Sequence, residues 1–340
     1  MAIEETMRSV YKLGGSTLVL SLPKSWTEAV PLKKGDKILV RMKKDGTLSL
    51  FPPDIDGKGL REVEIPVIIS NEGDLERKII AKYIDGYSLI KLKACDGLFK
   101  LHHHDVVRGI IKKLIGLNII ELTAEEVIIQ SLMDPSELPI RKGLERAHSL
   151  AASMCKGALQ ALMTSDDLMA KNILRMRTDL DGLYYLVLRQ LRSSMLRSDV
   201  LRRLNVESID CLEYLMASQI IIHVAKFAEQ ILKNIVALSN FQLPNDILAL
   251  INIFGKNAID VVESSFNAFI NSTMSNLSVE STQSLMNAET LKLNKKLAQV
   301  KEEGVPCEVM CHVTQIVDRI ERIWDQGIEL AETTIYRSIQ

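Results

Sequence analysis

Two sets of side chains in this sequence have the types and spacings that do chemistry. Nine cations (Arg8, Lys12, Lys24, Lys33, Lys34, Lys37, Arg41, Lys43 and Lys44) crowd the first fifty residues against five acids. Lysines and arginines at that density neutralise phosphates, the source of most sequence-independent affinity for nucleic acid. Lysines also blunt the solvated edges of small sheets, so charge alone leaves both readings open. At the other end of the chain Asp318, Glu321 and Asp325 recur at three and four residues, which places them on one helical face, and Glu329 and Glu332 prolong it. Carboxylate oxygens are hard ligands, suited to a metal ion if a second acidic helix faces them, and Asp179 and Asp181 offer one. The alternative is a solvated face with internal ion pairs such as Asp318 with Arg322, each worth about 0.2–0.5 kcal/mol.

Other clusters carry less. His102, His103 and His104 are adjacent, and neighbours on an extended chain point apart, so they read as a loop or a helix start before Asp105. Cys307, Cys311 and His312 lack a fourth ligand and follow no zinc spacing. Five scattered cysteines suit a reducing compartment rather than a disulfide framework. There is no glycine-rich phosphate loop, no dinucleotide fingerprint and no His-Glu-x-x-His. The chain reads as a non-enzyme with no catalytic residue.

The elements that must position these groups follow from pattern. Thr17 to Leu22 is rich in strand formers and follows Gly14-Gly15; Lys37 to Lys43 alternates apolar with basic and meets Thr47 to Phe51 across Asp45-Gly46. Pro23 to Ala29 allows one short helix, which Pro31 closes. So small a sheet buries too little to stand alone, which predicts pairing with a second copy. Residues 56–134 mix strands (Val63 to Ile69, Tyr87 to Leu92, and around Ile128) with helices (Asp74 to Tyr83, Asp105 to Ile115). Beyond Pro135 apolar residues recur at three and four in six segments, near 141–164, 166–197, 207–239, 246–272, 278–303 and 306–338. Asp166 and Asp246 are candidate N-caps. Long helices with short connections pack as antiparallel neighbours. The expected organisation is 1–55, 56–134, 135–240 and 241–340: a small all-β module, an α/β connecting region and two tandem three-helix bundles.

Composition agrees with that plan. With 47% hydrophobic and 25% charged residues the chain is globular, and at 5% aromatic its cores must be aliphatic. No uncharged apolar run approaches the ~18 residues of a membrane span, and no basic segment precedes a short apolar one as in a secretory signal, so the expectation is a cytoplasmic protein without membrane insertion. The net charge of −1 conceals a basic head on an acidic body. Only the head suits a polyanion.

Two resemblances sharpen this. Residues 6–52 resemble the swapped-hairpin, AbrB/SpoVT-type DNA-binding domain through Arg8, Lys12, Gly15-Ser-Thr17, Ser21-Leu-Pro23-Lys24, Trp26, Leu32-Lys-Lys-Gly-Asp36 and Asp45-Gly-Thr-Leu48. The resemblance implies a dimeric barrel of interleaved hairpins that grips DNA with basic side chains, here Arg8, Lys12 and Lys24 with Lys33, Lys34, Arg41 and Lys43 nearby. Residues from about 60 to 338 resemble archaeal-type PhoU proteins, the phosphate-uptake regulators. The marks are Tyr83-Ile-Asp-Gly-Tyr87, Leu114-Ile-Gly-Leu117 with Ile119-Ile-Glu121, Asp181-Gly-Leu-Tyr-Tyr with Arg189-Gln190-Leu191, and Asp318-Arg-Ile-Glu-Arg-Ile-Trp-Asp325. This resemblance implies two tandem three-helix bundles and metal sites built on a Glu/Asp-x-x-x-Asp motif. Glu321 and Asp325 complete the motif; Arg177 to Asp181, Ala225 to Glu229 and Leu285 to Glu289 lack the leading carboxylate. An ion of the divalent or iron or zinc type on the second bundle, held by Glu321, Asp325, Asp318 and Asp181, is the cofactor implied. Together the resemblances imply a homodimeric, DNA-binding regulator of phosphate uptake. The alternative is a dimeric adaptor that does not bind DNA and regulates a phosphate ABC transporter by direct contact; transporter components or sensor proteins are the partners expected besides DNA.

Overall fold

The computed structural model describes residues 5–30, 32–42, 46–51, 61–68, 73–134, 136–238, 241, 243–273, 278–302 and 305–338. Contacts divide the chain into two units, Met1–Gly59 and Leu60–Gln340.

In the first unit β1 (Val10–Leu13) and β2 (Thr17–Leu20) pair antiparallel, Leu13 opposite Thr17. Gly14 turns the chain at φ +67°, a region that a residue without Cβ enters freely. The expected short helix is present as α1 (Lys24–Ala29), with Pro23 at its N-cap and not in its first helical position. β3 (Leu39–Met42) and β4 (Leu48–Phe51) make the second hairpin, Met42 opposite Leu48; Gly46 lies at φ +83°, while Asp45 of that turn is outside the described residues. The strands form two separate two-stranded sheets within one chain. None of the described residues of this unit is buried. Val10, Tyr11, Leu13, Leu18 and Leu20 of one ribbon and Leu39, Val40, Met42 and Leu48 of the other are all exposed.

The second unit opens with a layer of sheet and two helices: β5 (Glu62–Val67), α2 (Gly73–Ile84), β6 (Leu89–Ala94), α3 (Leu101–Lys113), β7 (Leu117–Leu122) and β8 (Glu126–Ser131). Strand order is β5-β6-β8-β7, with β5 parallel to β6 and the other pairs antiparallel. The two-residue period sends Ile65, Val67, Ile90, Leu92, Val127 and Ile129 to one face. There they are buried with Leu75, Ile79 and Tyr83 of α2, Val107 and Ile110 of α3, and Leu114 just beyond it. Helix α3 starts at Leu101, earlier than the expected Asp105, and takes the three histidines into its first turn. His103 is buried and its Nδ1 accepts the Lys100 N–H at 3.0 Å, while His104 Nε2 lies 3.1 Å from the Thr123 carbonyl. His103 and His104 thus take separate local bonds, while the His102 and His103 ring centres lie 3.8 Å apart. β7 has no counterpart in the sequence reading. A register shift between Ile119 and Glu121 turns Ile120 out to solvent, which breaks the alternation that marks a strand.

The rest is helix: α4 (Ile140–Thr164), α5 (Asp167–Leu174), α6 (Met176–Leu196), α7 (Ser198–Arg203), α8 (Ser208–Ala237), α9 (Asn245–Asn271), α10 (Val279–Glu302) and α11 (Cys307–Ser338). The segment expected as one helix over 166–197 is two, meeting at Arg175. Arg175 keeps right-handed helical dihedrals, so the apolar period runs across the junction unbroken. Asp166 caps α5 by accepting the Met169 N–H at 2.8 Å, as predicted. Asp246 does not occupy the cap of α9, which falls at Pro244; it sits in the first turn, accepts the Ile247 N–H at 2.9 Å and pairs with Lys296 of α10 at 2.6 Å.

One apolar core runs through all the long helices. Helix α4 lies antiparallel to α9: Arg141 Nη2 donates to Asn271 at 3.1 Å, His148 stacks on Phe266 at 3.8 Å, and Lys156 pairs with Glu263 at 2.5 Å. Helix α8 lies antiparallel to α11, with His223 and Gln326 at 3.2 Å and His312 and Asn234 at 2.7 Å. By length and composition α8 is apolar enough to cross a bilayer, yet half of its apolar window is buried, the pattern of a core helix.

Candidate functional site

The cationic candidates of the first unit stand in open positions. Arg8 precedes β1, Lys12 lies on β1 and Lys24 opens α1; all are exposed. Lys24 meets Glu28 at 3.5 Å, one turn along the helix, a surface pair worth little. Lys33 and Lys34 are exposed in the turn before β3, where the Lys33 N–H donates to Asp36 at 2.7 Å. That bond fixes the Leu32-to-Asp36 turn and leaves both ammonium groups outside it. Arg41 is on β3 with its side chain outside the described residues, and Lys43 is outside them altogether.

The acidic candidates separate into two places. On α11, Asp318 is bound by Arg319 and by Arg322, the latter at 3.1 Å, so the ion pair weighed as an alternative forms. Glu321 is half-buried. Burial and the neighbouring Asp325 and Asp318 charges push its carboxyl above the usual carboxylate range, against Arg322. Asp325, although exposed, is raised too by partial desolvation, with Arg322 again opposing. Asp181 does not join them. It lies on α6 of the first bundle, where Arg177 pairs with it and with Glu229 of α8. Among the described residues no group of three or more His, Cys, Asp or Glu is placed to share an ion. On α11 Glu321 and Asp325 are therefore neighbours, two of the four carboxylates expected together. The thiols add none: Cys155, buried, is pushed up to about 12, and Cys307 and Cys311 are exposed without converging on a third ligand.

A third cluster was not anticipated from spacing. Helix α6 docks the first bundle on the α/β layer through Arg189, which is buried. Its Nη1 donates to the carbonyls of Tyr83 at 2.6 Å and Tyr87 at 3.0 Å, and its guanidinium lies 4.7 Å from the centre of the Tyr83 ring. Tyr83 donates in turn to the Ile115 carbonyl at 2.8 Å, and burial pushes its phenol up to about 12. Arg192 pairs with Asp85 at 2.8 Å, and Arg61 donates to the Asp85 carbonyl at 2.7 Å. Gly182 completes the dock, since a Cβ there would come within 2.9 Å of the Lys113 carbonyl. The Tyr83-to-Tyr87 and Arg189-to-Leu191 segments, separate marks in the sequence, are two sides of one contact. The Arg189 and Arg192 contacts join them directly and Gly182 lets the α3 end approach; a linear pattern carries neither.

Helices α4, α6 and α8 thus form a bundle with α5 alongside, fixed to the α/β layer by α6 and continued by α9, α10 and α11. Residues 144–235 match the PhoU domain family. The match spans α4 to most of α8. Among solved structures, PhoU from Pseudomonas aeruginosa superposes with a TM-score of 0.52 at 15% identity, covering 58% of this chain and 94% of that one. The phosphate transport system regulatory protein PhoU from Streptococcus pneumoniae gives 0.48 at 17% identity, covering 58% and 92%. At such identity the likeness is one of fold. No curated protein sequence matches the chain. The family match lies wholly in the second unit, so it does not describe the cationic ribbons.

Proposed function

We propose that this protein is a PhoU-type regulator of phosphate uptake acting as a dimeric adaptor. In this reading the helical bundles dock on a component of a phosphate transport system, and the first units of two chains join them. The PhoU domain match over residues 144–235 carries the reading, and the fold shared with the Pseudomonas protein supports it. The open apolar ribbons support the pairing, because a two-stranded sheet that covers neither face is marginal in water. A divalent or iron- or zinc-type ion would be held by Glu321 and Asp325, with Asp318 beside them; it would supply a positive charge that relieves their repulsion.

A second reading places DNA on the first unit. The exposure of Arg8, Lys12, Lys24, Lys33 and Lys34 favours it, since phosphate contacts require free cations. Arg41 and Lys43 are the further candidates, and the swapped-hairpin barrel would be the frame.

One experiment separates the two. Phosphate uptake is measured in cells carrying the intact chain or Arg8→Ala/Lys12→Ala/Lys24→Ala, and duplex binding of both proteins is titrated with salt. The adaptor reading expects the triple variant to restrain uptake as the intact chain does. If the triple variant loses control of uptake together with a steeply salt-dependent duplex affinity, the adaptor reading fails and the DNA reading stands.

A further inference from the structure

The first bundle holds an acidic cluster that carries its own cation. Asp181 of α6 and Glu229 of α8 come from different helices, and Arg177 lies between them. Its Nη1 pairs with Asp181 one turn along α6, and its Nε donates to Glu229 Oε2 at 3.2 Å. Lys233 holds the other Glu229 oxygen at 2.5 Å. The side chains of Arg177, Asp181 and Glu229 are 20%, 25% and 23% exposed, so all three are largely withdrawn from water. Arg177 stands four residues before Asp181, the place of the leading carboxylate in the acidic motif.

We propose that Arg177 is a tethered cation in the seat where an ion would otherwise bind, so that the first bundle is neutralised and its α6–α8 contact pinned without a metal. The chemistry favours this over an ion sharing the site. The planar guanidinium reaches two carboxylates on two helices at once, as a coordinating ion would. It is always protonated, so the seat is filled at every physiological pH. A divalent ion placed beside it would face a fixed like charge and find three of the four carboxylate oxygens already engaged by N–H donors. Lys233 adds a second positive charge. Desolvation holds the Asp181 carboxyl above its ordinary value, and the Arg177 and Lys113 charges oppose that rise. The inference is independent of whether the partner is a transporter or DNA.

The test uses full-length protein carrying Glu321→Gln and Asp325→Asn, so that α11 contributes no ligand. It is equilibrated with excess Mn²⁺ or Zn²⁺ and dialysed; metal per chain is measured, and Tm is recorded with and without EDTA. The background protein should hold no stoichiometric ion and show a Tm that EDTA does not move. Adding R177E places a third carboxylate in the seat and should bring in one ion per chain, with a Tm that EDTA lowers. R177A frees the two carboxylates without adding another; it should take up the same ion more weakly, and it serves if R177E fails to fold. The inference is overturned if the background protein keeps a stoichiometric ion that D181N or E229Q removes. It is overturned equally if the folded Arg177 variants bind no more metal than their parent.

Discussion

At the scale of single residues the second bundle differs from the first, because among the described residues no guanidinium pairs with both Glu321 and Asp325; the nearby Arg322 pairs with Asp318. The Glu321 and Asp325 carboxyls are raised above the ordinary range, Glu321 by burial and by its acidic neighbours. The sign follows directly. A carboxyl whose folded-state pKa lies above its unfolded value is ionised at a cost in the folded protein. That cost is fully present above the folded pKa and disappears as pH falls below the unfolded value, about 4. Glu321→Gln should therefore raise Tm at pH 7 in EDTA, and the gain should fade by about pH 4. If an ion sits at this face, the same variant should lower Tm at pH 7 in the presence of that ion. Calorimetry at the two pH values, with and without chelator, distinguishes the outcomes. Spacing alone made Glu321 and Asp325 visible, as residues four apart on one helix. It also offered Asp181 as a partner, and the fold separates that residue, because the neighbours of a side chain on another helix depend on packing that periodicity does not encode.

Packing between elements is set by a few glycines. Helix α11 crosses α9 at Gly327, where a Cβ would stand 2.8 Å from Val261 Cγ1 and 2.9 Å from the Val262 backbone nitrogen. Gly109 of α3 is also inside a helix, but it is exposed with nothing within 4 Å of a Cβ. Alanine in place of helical glycine gains about 1 kcal/mol of propensity. At Gly109 nothing opposes that gain, so Gly109→Ala should stabilise by about 0.5–1 kcal/mol. At Gly327 the added methyl meets backbone, which cannot rotate away, and overpacking typically costs about 1–3 kcal/mol. Gly327→Ala should come out destabilising, with reversed sign, in denaturant melts of the two variants. The helices themselves were legible because 3.6-residue periodicity persists over 25 residues in α4 and 30 in α8. The break at Arg175 was not, since a bend that keeps helical dihedrals leaves the period intact. β7 was hidden for the converse reason: its bulge destroys a period of two in a strand of only six residues.

For the whole molecule the decisive fact is that the two units are stabilised differently. Leu60–Gln340 buries two apolar cores of its own, mainly aliphatic with Trp324, Tyr83, Phe254 and Phe269 among the largest buried side chains, whereas none of the described residues of Met1–Gly59 is buried. The sequence disclosed this in outline. Four short strands with tight turns and alternating apolar residues cannot close a core in about fifty residues, whatever their register. Apolar side chains at Val10, Leu18, Leu20, Leu39, Val40 and Leu48 are what a second copy would cover, and hydrophobic burial is strong enough per side chain, at about 1.5–3 kcal/mol, that a few such contacts outweigh the entropy of ordering short ribbons. A chain lacking residues 1–59 should then be monomeric by light scattering while keeping the helical signal and the melting temperature of the intact protein's second unit. The intact protein should be a dimer. Leu20→Glu with Leu50→Glu in the full-length chain should dissociate it without lowering that melting temperature, because each charge would be buried at the joint and exposed in the monomer. If the truncated chain still pairs, the bundles are the interface between copies and the ribbons must be covered by a different partner. The arrangement by which two bundles address one target would then be fixed by helices, and the cationic units would be free to act separately.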